Sequence, residues 1–109
     1  MPRNDELPPG TLVMLFLRVL RNQPLHGYAI AQRIRLLSNE QLSVDEGSLY
    51  PALQKLLMKG FVKASWTTSE SGREVREYRL TAWGTKQLEN EVSEYRRVTG
   101  AIESLLDKA

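Results

Sequence analysis

The chain has no cysteine and a single histidine, His26. The first absence excludes disulfides, thiolate nucleophiles, iron–sulfur clusters and cysteine-based zinc sites, and it fits a reducing compartment. One histidine cannot build a metal site, and with so little of either residue no Ser/His/Asp or Cys/His set is apparent. No Gly-rich phosphate loop follows a strand. An enzyme is therefore the weakest reading, and no catalytic residue, metal or cofactor is expected. Long apolar runs are missing as well. The longest, Leu12 to Leu17, is stopped by Arg18, far short of the roughly 20 residues that cross a bilayer. Met1 to Glu6 lacks a basic region followed by an apolar stretch, so it does not read as a secretory signal. These absences point to the cytoplasm and away from membranes.

What is present is an ordinary globular composition in 109 residues, with 41% hydrophobic and 26% charged side chains, enough for one domain plus an extension. Net charge is only +2, so its distribution says more than its size. Residues 1–60 hold seven Lys/Arg against five Asp/Glu, residues 61–82 four against three, and residues 83–109 four against five. A face for a polyanion should lie before residue 82.

Residues 1–9 read as a flexible N-terminus. Thr11 to Asn22 is a helix so apolar around its circumference that it needs cover on more than one side, from its own domain and from a partner subunit. Gln23-Pro24-Leu25-His26-Gly27 is a turn cluster. Tyr28 to Leu37 restores helical spacing, with Ile30, Ile34 and Leu37 inward and Gln32, Arg33 and Arg35 away from that stripe. Ser43-Val44-Asp45-Glu46 starts a third helix, capped by Ser43 in a capping box or by Asp45 instead. Pro51 lies inside it and predicts a tightened or irregular first turn. Leu49, Leu53, Leu56 and Leu57 form its buried stripe, and Gly60 closes it. From Phe61 to Thr81 the period becomes two, a β-hairpin with Gly72 and Arg73 at its tip. Ala82 to Asp107 is one long helix, whose Leu88, Val92, Tyr95, Thr99, Ile102 and Leu106 recur at alternating spacings of four and three. A second copy of the chain is the natural cover for that seam.

The fold class is thus mainly α with a small β-hairpin (α+β). Three helices followed by a hairpin describe a winged helix-turn-helix over residues 10–81, and residues 82–109 add a long C-terminal dimerisation helix. Specific residues sharpen this. Leu25-His26-Gly27-Tyr28-Ala29-Ile30, Gly47-Ser48-Leu49-Tyr50-Pro51-Ala52-Leu53-Gln54-Lys55-Leu56, Gly60-Phe61-Val62, Tyr78-Arg79-Leu80-Thr81 and Gly84 resemble the PadR family of bacterial transcriptional regulators, in its short subgroup with a single C-terminal helix. The resemblance spans about residues 10–90. It implies a homodimeric winged helix-turn-helix protein, usually a repressor, that binds an inverted repeat in a promoter and is sometimes released by a small molecule.

The outward face of the third helix presents Ser48, Tyr50, Pro51, Gln54 and Lys55 to double-stranded DNA. The amide of Gln54 can pair with adenine N6 and N7, while Ser48, Tyr50 and Lys55 suit phosphates. The ring of Tyr50 has a second reading, as a cap on the core. Arg73 at the wing tip is the preferred backbone or minor-groove contact. Arg76 can instead pair with Glu74 or Glu77, and alternation separates it from Arg79. Arg33 and Arg35 either flank the duplex or belong to a solvated face. His26 is a turn or cap residue. Asp45 and Glu46 oppose phosphate binding and are expected behind the contact surface. Trp66, Trp83 and Tyr95 suggest a pocket for a flat effector, Trp83 and Tyr95 above all, although a Trp on a hairpin's apolar face or at a helix start is more often core. The rival function is a winged-helix protein-interaction module without DNA binding.

Overall fold

The computed structural model describes residues 10–109, so the expected flexible N-terminus at residues 1–9 lies outside the described residues. The order is α1 (Thr11–Asn22), β1 (Leu25–His26), α2 (Gly27–Leu37), α3 (Glu46–Met58), β2 (Val62–Thr68), β3 (Glu74–Leu80) and α4 (Ala82–Lys108). Three helices and a hairpin in this order, followed by a long fourth helix, make an α+β winged helix.

Each boundary has a local cause. Gly10 enters α1 at φ 85°, a left-handed conformation that glycine adopts without strain. His26 caps α2, its Nδ1 accepting from the Ala29 N–H at 3.4 Å. Asp45, not Ser43, caps α3, its carboxylate accepting from the Ser48 N–H at 2.8 Å. That same N–H reaches the Asp45 carbonyl at 3.1 Å, three residues back, which is the tightened first turn expected ahead of Pro51. The helix then continues through the proline. At its far end Phe61 N–H bonds the Leu56 carbonyl and Gly60 N–H the Leu57 carbonyl, with Gly60 at φ 79°. This is the six-to-one and five-to-two pairing of a Schellman ending.

The core gathers Phe16, Leu17, Val19 and Leu20 from α1, Ile30 and Ile34 from α2, and Leu49, Leu53 and Leu56 from α3. Phe61, Val62, Tyr78 and Leu88 complete it. Leu12, Val13, Met14 and Leu15 are only half-buried against it, so α1 keeps a second, partly open side.

Four details depart from the sequence reading. The segment around Pro24 is not only a turn: Leu25 and His26 pair with Tyr78 and Glu77, so the sheet has three strands in the order β1-β3-β2. Two residues are too short to show a period, and their partner is about 50 positions away. Leu37, expected inward, is exposed at the last position of α2, where the stripe outruns the surface it packs on. Trp66 and Trp83 are exposed rather than core. Leu88, expected in an intersubunit seam, is 1% exposed inside its own chain's core.

α4 is tied to the end of α3. The Thr81 hydroxyl accepts from the Gly84 N–H at 2.9 Å, capping the helix, and donates to the Gly60 carbonyl at 2.7 Å, with the Phe61 carbonyl at 3.1 Å. Gly84 lies so close to the Phe61 carbonyl that any Cβ there would overlap it. Beyond this knot α4 packs along α1 through Leu88 and Val92, and its remaining turns leave the domain, which explains a radius of gyration of 15.4 Å where a compact chain of this length would have about 13 Å.

Candidate nucleic-acid interface

With Leu49, Leu53 and Leu56 buried and Ala52 and Leu57 half-buried beside them, the opposite side of α3 has to face solvent. Ser48, Tyr50, Pro51, Gln54 and Lys55 are all exposed on it, as the spacing predicts. Met58 is 78% exposed one turn beyond Gln54, and sequence reasoning passed over it. The i, i+4 step from Gln54 carries the signal.

Tyr50 resolves into a mixed role. It is 48% exposed, yet its ring lies on the backbone of Gly27 at the start of α2. The phenol is therefore seated against the fold and open to a ligand on its other side.

The wing supplies the second wall. Its tip turns through Ser69 to Arg73, with the Ser69 N–H bonding the Arg73 carbonyl at 2.8 Å and Gly72 at φ 87°. Arg73, Arg76 and Trp66 of the wing face Tyr50 and Glu46 of α3 and Tyr28 of α2 across an open cleft of about 560 Å³. The arginines differ in their partners. Arg79 lies 3.8 Å from Glu77, whereas no ion pair engages Arg73 or Arg76 among the described residues. Arg76 instead stands over the Tyr78 ring, 6.0 Å from its centroid. Burial pushes the Tyr78 phenol above its ordinary pKa, and the Arg76 charge works in the opposite direction.

Arg33 is half-buried on α2 and does not border this cleft, while Arg35 is taken by Glu40 at 2.9 Å. Asp45 spends one carboxylate oxygen on its cap, but Glu46 lines the cleft rather than standing behind it. The structure thus brings Tyr50 and Arg73 together, leaves Pro51, Gln54 and Lys55 on the adjoining helix face, and keeps Arg33 apart. For Arg76 sequence reasoning left a carboxylate pair as an equal alternative to a place among the wing's free cations. Its register opposite Trp66, on the face shared with Tyr78, decides for the second.

On α4 the exposed apolar residues are Tyr95, Val98, Ile102, Leu105 and Leu106, with Val92 and Thr99 half-buried. Tyr95 borders two grooves between α1 and α4, of about 350 and 760 Å³. Trp83 borders neither. It stands about 18 Å from Tyr95 along the helix, so one chain does not bring the two into a single pocket.

Compared with known proteins, residues 16–90 match the model of the transcriptional regulator PadR-like family. The chain belongs to that family. A transcriptional regulator from Clostridium thermocellum is similar to this PadR-like chain with a TM-score of 0.79 at 25% identity, covering 87% of this chain and 92% of its own. A PadR family regulator from Eggerthella lenta gives 0.77 at 28%, covering 92% and 85%. Another, from Clostridium difficile, gives 0.78 at 26%, covering 89% and 99%. The protein is accordingly a PadR-like transcriptional regulator and not an enzyme. No helix among the described residues is long and apolar enough to cross a membrane.

Proposed function

We propose that this PadR-like regulator binds double-stranded DNA sequence-specifically, as a cytoplasmic homodimer on an inverted-repeat operator, and represses transcription there. One observation carries the DNA-binding part. The exposed face of α3, with Ser48, Tyr50, Pro51, Gln54 and Lys55, adjoins a cleft where Arg73 and Arg76 hold guanidinium groups without an ion pair among the described residues. Gln54 reads a base edge, Ser48, Tyr50, Lys55 and Arg73 engage the backbone, and Arg33 supports the flank of the duplex.

Residues 10–81 form the reading domain and residues 82–109 the dimerisation helix. The seam on α4 runs through Tyr95, Val98, Ile102 and Leu105, at spacings of three, four and three, with Leu106 beside it. Thr99 sits at its margin and Val92 at its inner end, while Leu88 belongs to the core. A two-fold dimer presents two copies of α3, which is why the site is an inverted repeat. The repressor role rests on the family resemblance. Tyr95, bordering both α1/α4 grooves, is where a small-molecule effector would meet the protein.

A mobility-shift titration with the gene's own upstream region, at two salt concentrations, tests this reading. Binding that weakens with salt and prefers the upstream region over random DNA supports it. No shift at low salt would favour a protein-interaction module, to which Glu46 in the cleft is better suited.

A further inference from the structure

The wing carries a tryptophan that the core does not use. On β2 the residues turned toward the core are Val62, Ala64 and Trp66, opposite Leu80, Tyr78 and Arg76 on β3. Burial fades along that series: Val62 is buried, Ala64 half-buried and Trp66 68% exposed. The inward face of the hairpin therefore outruns the hydrophobic core while keeping its direction, toward the first turn of α3. An indole left in water forfeits the largest apolar burial a side chain offers, so its placement calls for an occupant.

The surroundings define that occupant's chemistry. Arg76 is paired with Trp66 across the strands and stands over Tyr78, and Arg73 borders the same cleft from the wing tip. Glu46 and Glu74 border it too, yet no ion pair among the described residues joins either to an arginine. The occupant must offer an apolar face to an indole and anions to two guanidinium groups. It must also pass through an open cleft between α3 and the wing. A nucleic-acid backbone alternates these features, sugar and phosphate, at each residue.

We propose that the cleft holds the sugar–phosphate strand lying between the groove read by α3 and the groove flanked by the wing, with Trp66 packed on a deoxyribose and Arg73 and Arg76 on phosphates. The assignment rests on the DNA-binding reading above. Trp66 is then an affinity residue without sequence preference, and Tyr78 positions Arg76 from beneath. A planar aromatic acid shares part of this chemistry and is the competing occupant.

The test titrates operator duplex, and separately benzoate, into the wild type and Trp66→Phe while reading tryptophan emission. Operator DNA is expected to change the wild-type emission, and most of that change should vanish in Trp66→Phe, where Trp83 remains. In parallel mobility shifts, Trp66→Ala should bind operator and random DNA about fivefold to tenfold more weakly, because the apolar contact with the sugar is lost. Its salt slope should be unchanged, because no cation is lost, whereas Arg76→Ala should lower the slope by about 1. Unaltered emission in a sample that mobility shift shows to be saturated would overturn the placement and leave DNA binding standing. Absence of any mobility shift would overturn both. Emission that responds to benzoate and not to DNA would assign the cleft to a small molecule and overturn the proposal.

Discussion

The phenol of Tyr50 rests on Gly27: a methyl group added to the glycine would stand 2.9 Å from the tyrosine Cε1 and 3.3 Å from its hydroxyl oxygen. The glycine is needed there for its neighbour's sake. Its missing side chain is the seat that holds the Tyr50 ring between the start of α2 and the exposed face of α3.

Gly27→Ala should therefore uncouple affinity from stability. Gly27 is buried, but the group that must give way is the far end of half-exposed Tyr50, which can swing into solvent, so stability should change by about 0.5 kcal/mol or less. DNA affinity should fall about as far as in Tyr50→Ala. Wild-type affinity in Gly27→Ala would place the phenol outside the interface.

The two carboxylates at the start of α3 should be read by different measurements. Asp45→Ala removes a cap and should cost about 0.5–2 kcal/mol in denaturant melts. Glu46→Gln should give up only about 0.3–1 kcal/mol of dipole stabilisation. It should tighten DNA binding at low salt, with the gain shrinking as salt screens the lost repulsion.

Gln54 and Lys55 are adjacent but should fail differently. Gln54→Ala should relax preference at one base of each half-site, by about 1–3 kcal/mol for a bidentate contact. Lys55→Ala should weaken every sequence and flatten the salt dependence by about one unit of slope. Equal losses on operator and random DNA for Gln54→Ala would move it to the backbone.

Ile102→Glu should convert the proposed dimer to monomers by burying an unpaired carboxylate in its seam, a change costing several kcal/mol of association free energy. Sedimentation at micromolar concentration reads this directly. A monomeric wild type would remove the inverted-repeat argument with it.

Tyr78 should make the fold sensitive to alkali. Burial raises its phenol above the ordinary value, so the folded chain holds that proton more tightly than the unfolded chain. The stability involved is complete below about pH 10 and is lost as pH rises through the folded-state value. Urea melts between pH 8 and pH 11 should fall more steeply for the wild type than for Tyr78→Phe.

The helices were legible because their signals are local. The Leu49, Leu53 and Leu56 spacing, Gly60 as a stop and Pro51 as a tightened turn each depend on residues within a few positions. The errors lie where a pattern outruns its packing partner. Alternation placed Trp66 on the correct face of β2 but could not show that the core ends at Ala64. The four-three spacing correctly joined Leu88 to the α4 stripe and could not show where the domain stops covering it. β1 needed a strand about 50 positions away before it existed as a strand. For the candidate site, single exposed residues on α3 could be read from the sequence. The cleft that joins Arg76 and Trp66 to Tyr50 depends on hairpin register, which composition does not encode.

The knot at Thr81 also determines how the reading domain is geared to the far end of the molecule. One hydroxyl clasps the end of α3 to the start of α4, so a tilt of α4 would be passed on to α3. From Ile102 in the seam back to Ala82 the arm is about 30 Å long. In the proposed dimer, a change of about 6° in the angle at which two such arms cross would move the two reading heads relative to each other by roughly 3 Å, close to the approximately 3.4 Å step between neighbouring bases. In the proposed dimer, half-site spacing would thus depend on side chains near Ile102 that stand far from the reading helix.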